Sequence, residues 1–118
     1  MTLAPMIFKI VAREAWTAAC RAGSFGGSAD DVRDGYIHFS TAAQVGTTAA
    51  KYYRGQEDLL LVAFDAAALG PALKWEPARG GDLFPHLYGA LQTALALWEK
   101  PLALDPDGVP VISLDGVA

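Results

Sequence analysis

The chain has 118 residues, 53% of them hydrophobic and 19% charged, and a formal net charge of −4. That length suits one domain, residues 1–118, burying roughly two thirds of its unfolded surface, and that composition excludes a disordered chain. Its 9 Lys and Arg are scattered with no basic block, so neither a phosphate footprint nor a nucleic-acid partner is expected.

Residues 6–11 are β-rich and predict a first strand. Residues 13–22 predict a helix with Trp16, Ala19 and Cys20 on one stripe and Gly23 as its stop. Cys20 is the single cysteine. It excludes an internal disulfide and a cysteine-based zinc cage, fits a reducing compartment, and on this stripe reads as a buried structural thiol. The N-terminus lacks the basic start and long apolar run of a signal peptide. The glycine-rich residues 23–28 follow no strand, open no helix and carry no Lys-Ser/Thr, so they read as a flexible connection or a lid and not as a phosphate loop.

Asp34-Gly35 marks a turn and residues 36–40 a strand. Thr41 and Gln44 have capping-box spacing, predicting a helix from there to about Arg54, with Gly55 ending it. Residues 59–64 are apolar on both faces, as in a central strand covered on both sides. They are far too few to span a bilayer, so a soluble cytoplasmic protein without a membrane partner is expected. Residues 65–70 predict a turn or short helix. Residues 73–77 predict a strand with Trp75 toward the core and Glu76 toward water. Residues 79–82 read as a loop, and Pro85 demands extended backbone into His86. Residues 91–98 fit a helix or a strand equally. Residues 105–108 form a turn before a last strand at 109–114. Strands mixed with about two helices make an α+β fold.

The chain has 2 histidines, and both lie in dense polar-aromatic runs. His38 and Ser40 are two apart, so on one strand they share a face. Imidazole and hydroxyl both donate and accept, which suits ribose oxygens or an amide. His86 and Tyr88 repeat the spacing between Pro85 and Gly89. The competing reading makes both motifs structural, one anchoring a turn and the other plugging the core. Glu76 beside Trp75 would have its pKa raised by desolvation if it faced inward, and Arg79 can reach a phosphate. No His-x-His or His-Glu-x-x-His spacing marks a metal site, no Gly-x-Ser-x-Gly elbow surrounds Ser40, and nothing beside Cys20 activates it.

The strings Asp34-Gly35-Tyr36-Ile37-His38-Phe39-Ser40-Thr41, Lys74-Trp75-Glu76 and Phe84-Pro85-His86-Leu87-Tyr88-Gly89 occur in one order. Together they resemble the bacterial DUF952 family, over nearly the whole chain. That family in turn resembles the ADP-ribosyltransferase-like superfamily, which implies a bent, split β core with flanking helices. The resemblance also implies binding of NAD or an ADP-ribose-containing nucleotide, with His38 and Ser40 on the ribose hydroxyls. It implies a tyrosine against the nicotinamide, for which Tyr52, Tyr53 and Tyr88 all qualify. The superfamily glutamate has no clear equivalent; Glu76 is the nearest choice, and His86 can take part of its role. Expected site residues are thus His38, His86 and Glu76 for catalysis and His38, Ser40, Thr41, Tyr52, Arg79, His86 and Tyr88 for the ligand, with no metal. The expected activity is transfer or hydrolysis at the nicotinamide ribose. The alternatives are a non-catalytic binding module, or a structural or interaction protein.

Overall fold

The computed structural model describes residues 5–114, apart from the Arg79 side chain. Its centre is built by the two most apolar runs of the chain. Strand β1 (Met6–Ala12) pairs antiparallel with β5 (Leu59–Asp65), Ile7 opposite Phe64 and Ile10 opposite Leu61. The short β4 (Ser40–Thr41) adds to the outer side of β1, and β9 (Trp98–Leu102) to the outer side of β5, giving the order β4-β1-β5-β9. Side chains alternate across this sheet. Leu60, Val62 and Phe64 enter one core layer with Ile7, Val11 and Trp16. Leu59, Leu61 and Ala63 enter another with Phe8 and Ile10. The central strand is therefore covered on both faces, as its unbroken apolar run predicts.

Helix α1 (Arg13–Ala22) lays Trp16 and Ala19 on the first layer and ends at Gly23, in the left-handed region at φ 91°. Helix α3 (Val45–Tyr52) covers the second layer with Val45 and Ala49. A three-stranded antiparallel sheet is made by β3 (Ile37–His38), β7 (Leu83–Leu87) and β6 (Leu73–Pro77), in the order β3-β7-β6. A two-stranded ribbon pairs β2 (Ser24–Phe25) with β8 (Leu91–Gln92). The chain is α+β, with its strands divided among separate antiparallel sheets.

Several expectations need correction. Strand 36–40 is broken at Phe39, whose N–H donates to the Pro85 carbonyl, so His38 belongs to the three-stranded sheet and Ser40 to the four-stranded one. The described residues hold three α-helices where about two were expected. The unforeseen one is α2 (Ala29–Asp34), started by a reciprocal capping box between Ser28 and Asp31. Residues 23–28 are no loose lid, because β2 is hydrogen-bonded into a ribbon and Phe25 is buried. Thr41 does not cap α3. Its N–H donates to Gln44 Oε1, and the helix starts only at Val45 and stops at Tyr52, short of Arg54. Cys20 is exposed, since the buried stripe of α1 consists of Trp16 and Ala19. Trp75 is also exposed, lying on the face of β6 opposite Glu76 at the sheet edge. No regular strand forms over 109–114, because β9 already occupies the edge of β5; one bridge, Leu104 to Pro110, remains. The ambiguous run 91–98 resolves into β8, a 3₁₀ turn at Thr93–Leu95 and the start of β9. No helix among the described residues is long and apolar enough to cross a membrane.

Candidate functional site

The switch of sheets at Phe39 opens a cleft of about 240 Å³ between the four-stranded sheet and the three-stranded one. Its wall takes Lys9 from β1, Asp31 from α2, His38 from β3, Ser40 from β4 and His86 from β7.

Asp31 organises this wall. It is 2% exposed and faces Lys9, itself 3% exposed, whose Nζ donates to both carboxylate oxygens at 2.8 and 3.1 Å. Lys9 shares its strand face with Ile7 and Val11, so the ammonium is buried beside the core, 6.0 Å from the Phe25 ring centre. The Ser28 N–H donates to Asp31 Oδ2 at 2.9 Å, and the His38 N–H to Oδ1 at 3.1 Å. His38 Nδ1 lies 2.6 Å from the same Oδ1. Burial alone would raise the Asp31 carboxyl. The hydrogen bond from His38 and the charge and hydrogen bond of Lys9 outweigh it and hold the group below the usual carboxylate range. Burial draws the Lys9 ammonium below an ordinary amine, with Asp31 opposing. An ionised Asp31 only accepts, so Nδ1 of His38 carries a proton and the ring is fixed in orientation. Its Nε2 faces Asp34 Oδ2 at 3.0 Å.

The second histidine is reached across the ladder. His38 and His86 are directly opposed on β3 and β7, their ring centres 5.6 Å apart. Tyr36 stacks on His86 at 4.1 Å and 27°, and is tilted against His38 at 4.7 Å and Tyr88 at 5.3 Å. His86 Nδ1 sits 2.9 Å from Glu76 Oε1, and the Tyr88 hydroxyl donates to the same oxygen at 2.7 Å. These bonds, Tyr88 first and then His86, hold Glu76 below the usual carboxylate range, opposite to the rise expected from burial. The shared proton pushes Tyr88 up to about 12.

Ser40 is buried on the cleft wall. Thr48 Oγ1 donates to the Gln44 carbonyl, so the Ser40 hydroxyl, 2.9 Å away, donates to Thr48. Tyr52 reaches the wall from α3 and is exposed. Tyr53 joins it from the helix end, its hydroxyl bonded to the Ile10 carbonyl, and burial pushes it up to about 12. The structure thus brings His38, Ser40, His86 and Tyr52 onto one wall. Glu76 and Tyr88 stand beside His86 and Tyr36 but off that wall, and Thr41 faces Ile7 on β1 away from it. The Arg79 side chain lies outside the described residues. Lys9, Asp31 and Tyr36 were not foreseen as site residues. Ser28-x-x-Asp31 is a legible helix start, but nothing local pairs Asp31 with a lysine 22 positions earlier. Among the described residues, no group of three His, Cys, Asp or Glu is placed to hold a metal ion.

A family model described as protein of unknown function (DUF952) matches residues 10–98. The X-ray crystal structure of protein CC0527 from Caulobacter crescentus is 50% identical, over 90% of this chain and 93% of that one, with a TM-score of 0.88. The solution NMR structure of CC0527 is 50% identical over 89% and 90% of the two chains, with a TM-score of 0.80. No curated protein matches the chain.

Proposed function

We propose, for a chain that belongs to the DUF952 family, that its cleft binds the nicotinamide-ribose end of NAD or another ADP-ribose-containing nucleotide. The observation that carries this reading is the convergence of His38, Ser40 and His86 on one cleft, with Tyr36 stacked on His86. A planar ring finds aromatic partners there, and a ribose hydroxyl that takes the place of Asp34 at His38 Nε2 finds an imidazole whose orientation Asp31 holds. The meeting of the four-stranded and three-stranded sheets at Phe39 supports an ADP-ribosyltransferase-like architecture as part of the same proposal. At about 240 Å³ the cleft is smaller than the roughly 300–1,000 Å³ that enclose a whole drug-sized ligand. One end of a dinucleotide enters and the rest lies outside.

In the catalytic form of this reading, the bond from nicotinamide to the anomeric carbon breaks. Its electron pair leaves with the ring, and water or another acceptor bonds to the carbon and gives up a proton. Positive charge develops on the ribose as in glycoside cleavage, and this form assigns its stabilisation to Glu76, the carboxylate 2.9 Å from His86 Nδ1. The position of Glu76 off the cleft wall, its Oε1 already held by Tyr88 and His86, favours a second reading, a binding module without turnover.

Calorimetric titration of NAD and ADP-ribose, with nicotinamide release followed chromatographically, tests both. Saturable binding is expected, weakened about tenfold in His38→Ala, since leaving a buried hydrogen-bond partner unsatisfied costs about 1–3 kcal/mol. Release of nicotinamide that Glu76→Gln abolishes supports the enzyme, and binding without release supports the module. Absence of saturable binding by either nucleotide refutes the proposal.

A further inference from the structure

The outer edge of the three-stranded sheet is open. In the order β3-β7-β6, no strand of the described residues lies beyond β6. The Tyr88 N–H donates to the Ala72 carbonyl at one end of β6, and the Ala78 N–H to the Asp82 carbonyl at the other. That phase turns the backbone groups of the even-numbered residues inward to β7, and those of Leu73, Trp75 and Pro77 outward. The Leu73 N–H already donates to the Gly70 carbonyl, and Pro77 has none. Trp75 is therefore the residue of β6 that presents both a donor and an acceptor at the edge. It is 39% exposed, and Leu83, on the same face, is 52% exposed. The opposite face of β6 carries Lys74 and Glu76.

We propose that β6 is a self-pairing edge, joining two copies of this chain in an antiparallel dimer about a two-fold axis at Trp75. The Trp75 N–H of each copy donates to the Trp75 carbonyl of the other, and the two three-stranded sheets become one of six strands. Charge fixes this register. With Trp75 opposite Trp75, Lys74 of each copy lies opposite Glu76 of the other, in the closer, non-hydrogen-bonded kind of pair. Sliding one copy while keeping the edge groups in phase sets Lys74 against Lys74 in one direction and Glu76 against Glu76 in the other. Lysine and proline on an edge ordinarily discourage pairing. Here the lysine meets a carboxylate and Pro77 only shortens the ladder, so the dimer is weak and grows with concentration. Glu76 has an oxygen to give, because Tyr88 and His86 both use Oε1. The second copy thereby brings a cation to the Glu76–His86 contact, whether or not the cleft takes a nucleotide.

Sedimentation equilibrium of the full chain, from about 10 µM to about 1 mM, should show a monomer–dimer equilibrium. Lys74→Glu and Glu76→Lys, each checked for folding by circular dichroism, should each weaken it about tenfold, because both cross-strand pairs turn from attraction to repulsion. Mixed together, the two variants should form a heterodimer about as tight as the parent dimer, since every pair is then opposite in sign. Cross-linking tests the same register without touching Glu76. In a Cys20→Ser background, which removes the exposed native thiol, Trp75→Cys sets two cysteines across the axis with Cα atoms about 5.5 Å apart, within disulfide range. Mild oxidation should link this variant about tenfold more than Lys74→Cys in the same background. Monomers throughout the concentration range, folded single variants that associate like the parent, a mixture that stays monomeric, or equal cross-linking at 74 and 75 overturns the inference.

Discussion

Replacing Lys9 with methionine probes the contact on which the cleft wall is built. Methionine keeps most of the apolar stem against the core and deletes the ammonium, leaving Asp31 buried without its main counter-charge. Breaking a buried ion pair from one side costs about 3–5 kcal/mol. Three donors remain on Asp31, from Ser28 and twice from His38, so the lower end, about 3 kcal/mol, is expected. At about 2.1 cal/mol/K of unfolding entropy per residue, a chain of 118 residues turns this into a fall in melting temperature of about 12 °C. Urea unfolding followed by tryptophan fluorescence reads the loss directly, because Trp16 is buried and reports global unfolding. The urea slope should stay unchanged while the midpoint falls. The double variant Lys9→Met, Asp31→Asn should lose less than the two single variants added together, since removing both charges leaves neither orphaned. A Lys9→Met melting temperature within about 3 °C of the parent, or strict additivity in the double variant, would refute the view that this pair anchors the wall.

Two further outcomes follow from the same region. The folded Asp31 carboxyl lies below its unfolded value of about 3.9, so the stability it contributes is complete above about pH 5 and is lost as pH falls through 4 toward the folded value. Asp31→Asn should therefore be clearly less stable than the parent at pH 7, with the gap in urea midpoint narrowing below pH 4; a gap that stays constant to pH 3 contradicts this. Gly27 sits at φ 110°, where a Cβ would come within 2.8 Å of Asp31 Cβ. Gly27→Ala should cost at least about 1 kcal/mol, whereas Gly26→Ala, with open space around it, should stay within about 0.5 kcal/mol. Equal effects at the two glycines would show that close approach to Asp31 is not what Gly27 provides.

What was legible in advance was what periodicity and turn chemistry write locally. Residues 59–64 had to be buried on both faces, and Trp16 with Ala19 had to face the core. Gly23 had to end its helix. The polar-aromatic runs around His38 and His86 stood out because they hold both histidines of the chain. Local reading failed where a partner far along the chain decided the outcome. Residues 109–114 have strand composition, yet β9 took the free edge of β5. Residues 23–28 read as loose glycine-rich chain, yet β8 fastened them. The six residues of α2 were too few to show a period, and only its capping box was written in the chain.

By itself, then, the amino-acid sequence determined the α+β mixture, the central strand and the two histidine motifs, because burial periodicity and turn geometry act over a few residues. It carried the family resemblance in three separated strings. Tertiary structure alone decided that His38 and His86 would be cross-strand neighbours under Tyr36, and that Ser40 would reach the same cleft from a different sheet. It also decided that Asp31 would meet Lys9. Pairing across sheets depends on register and on which edges remain open. A buried charge can survive only where the whole fold delivers its partner.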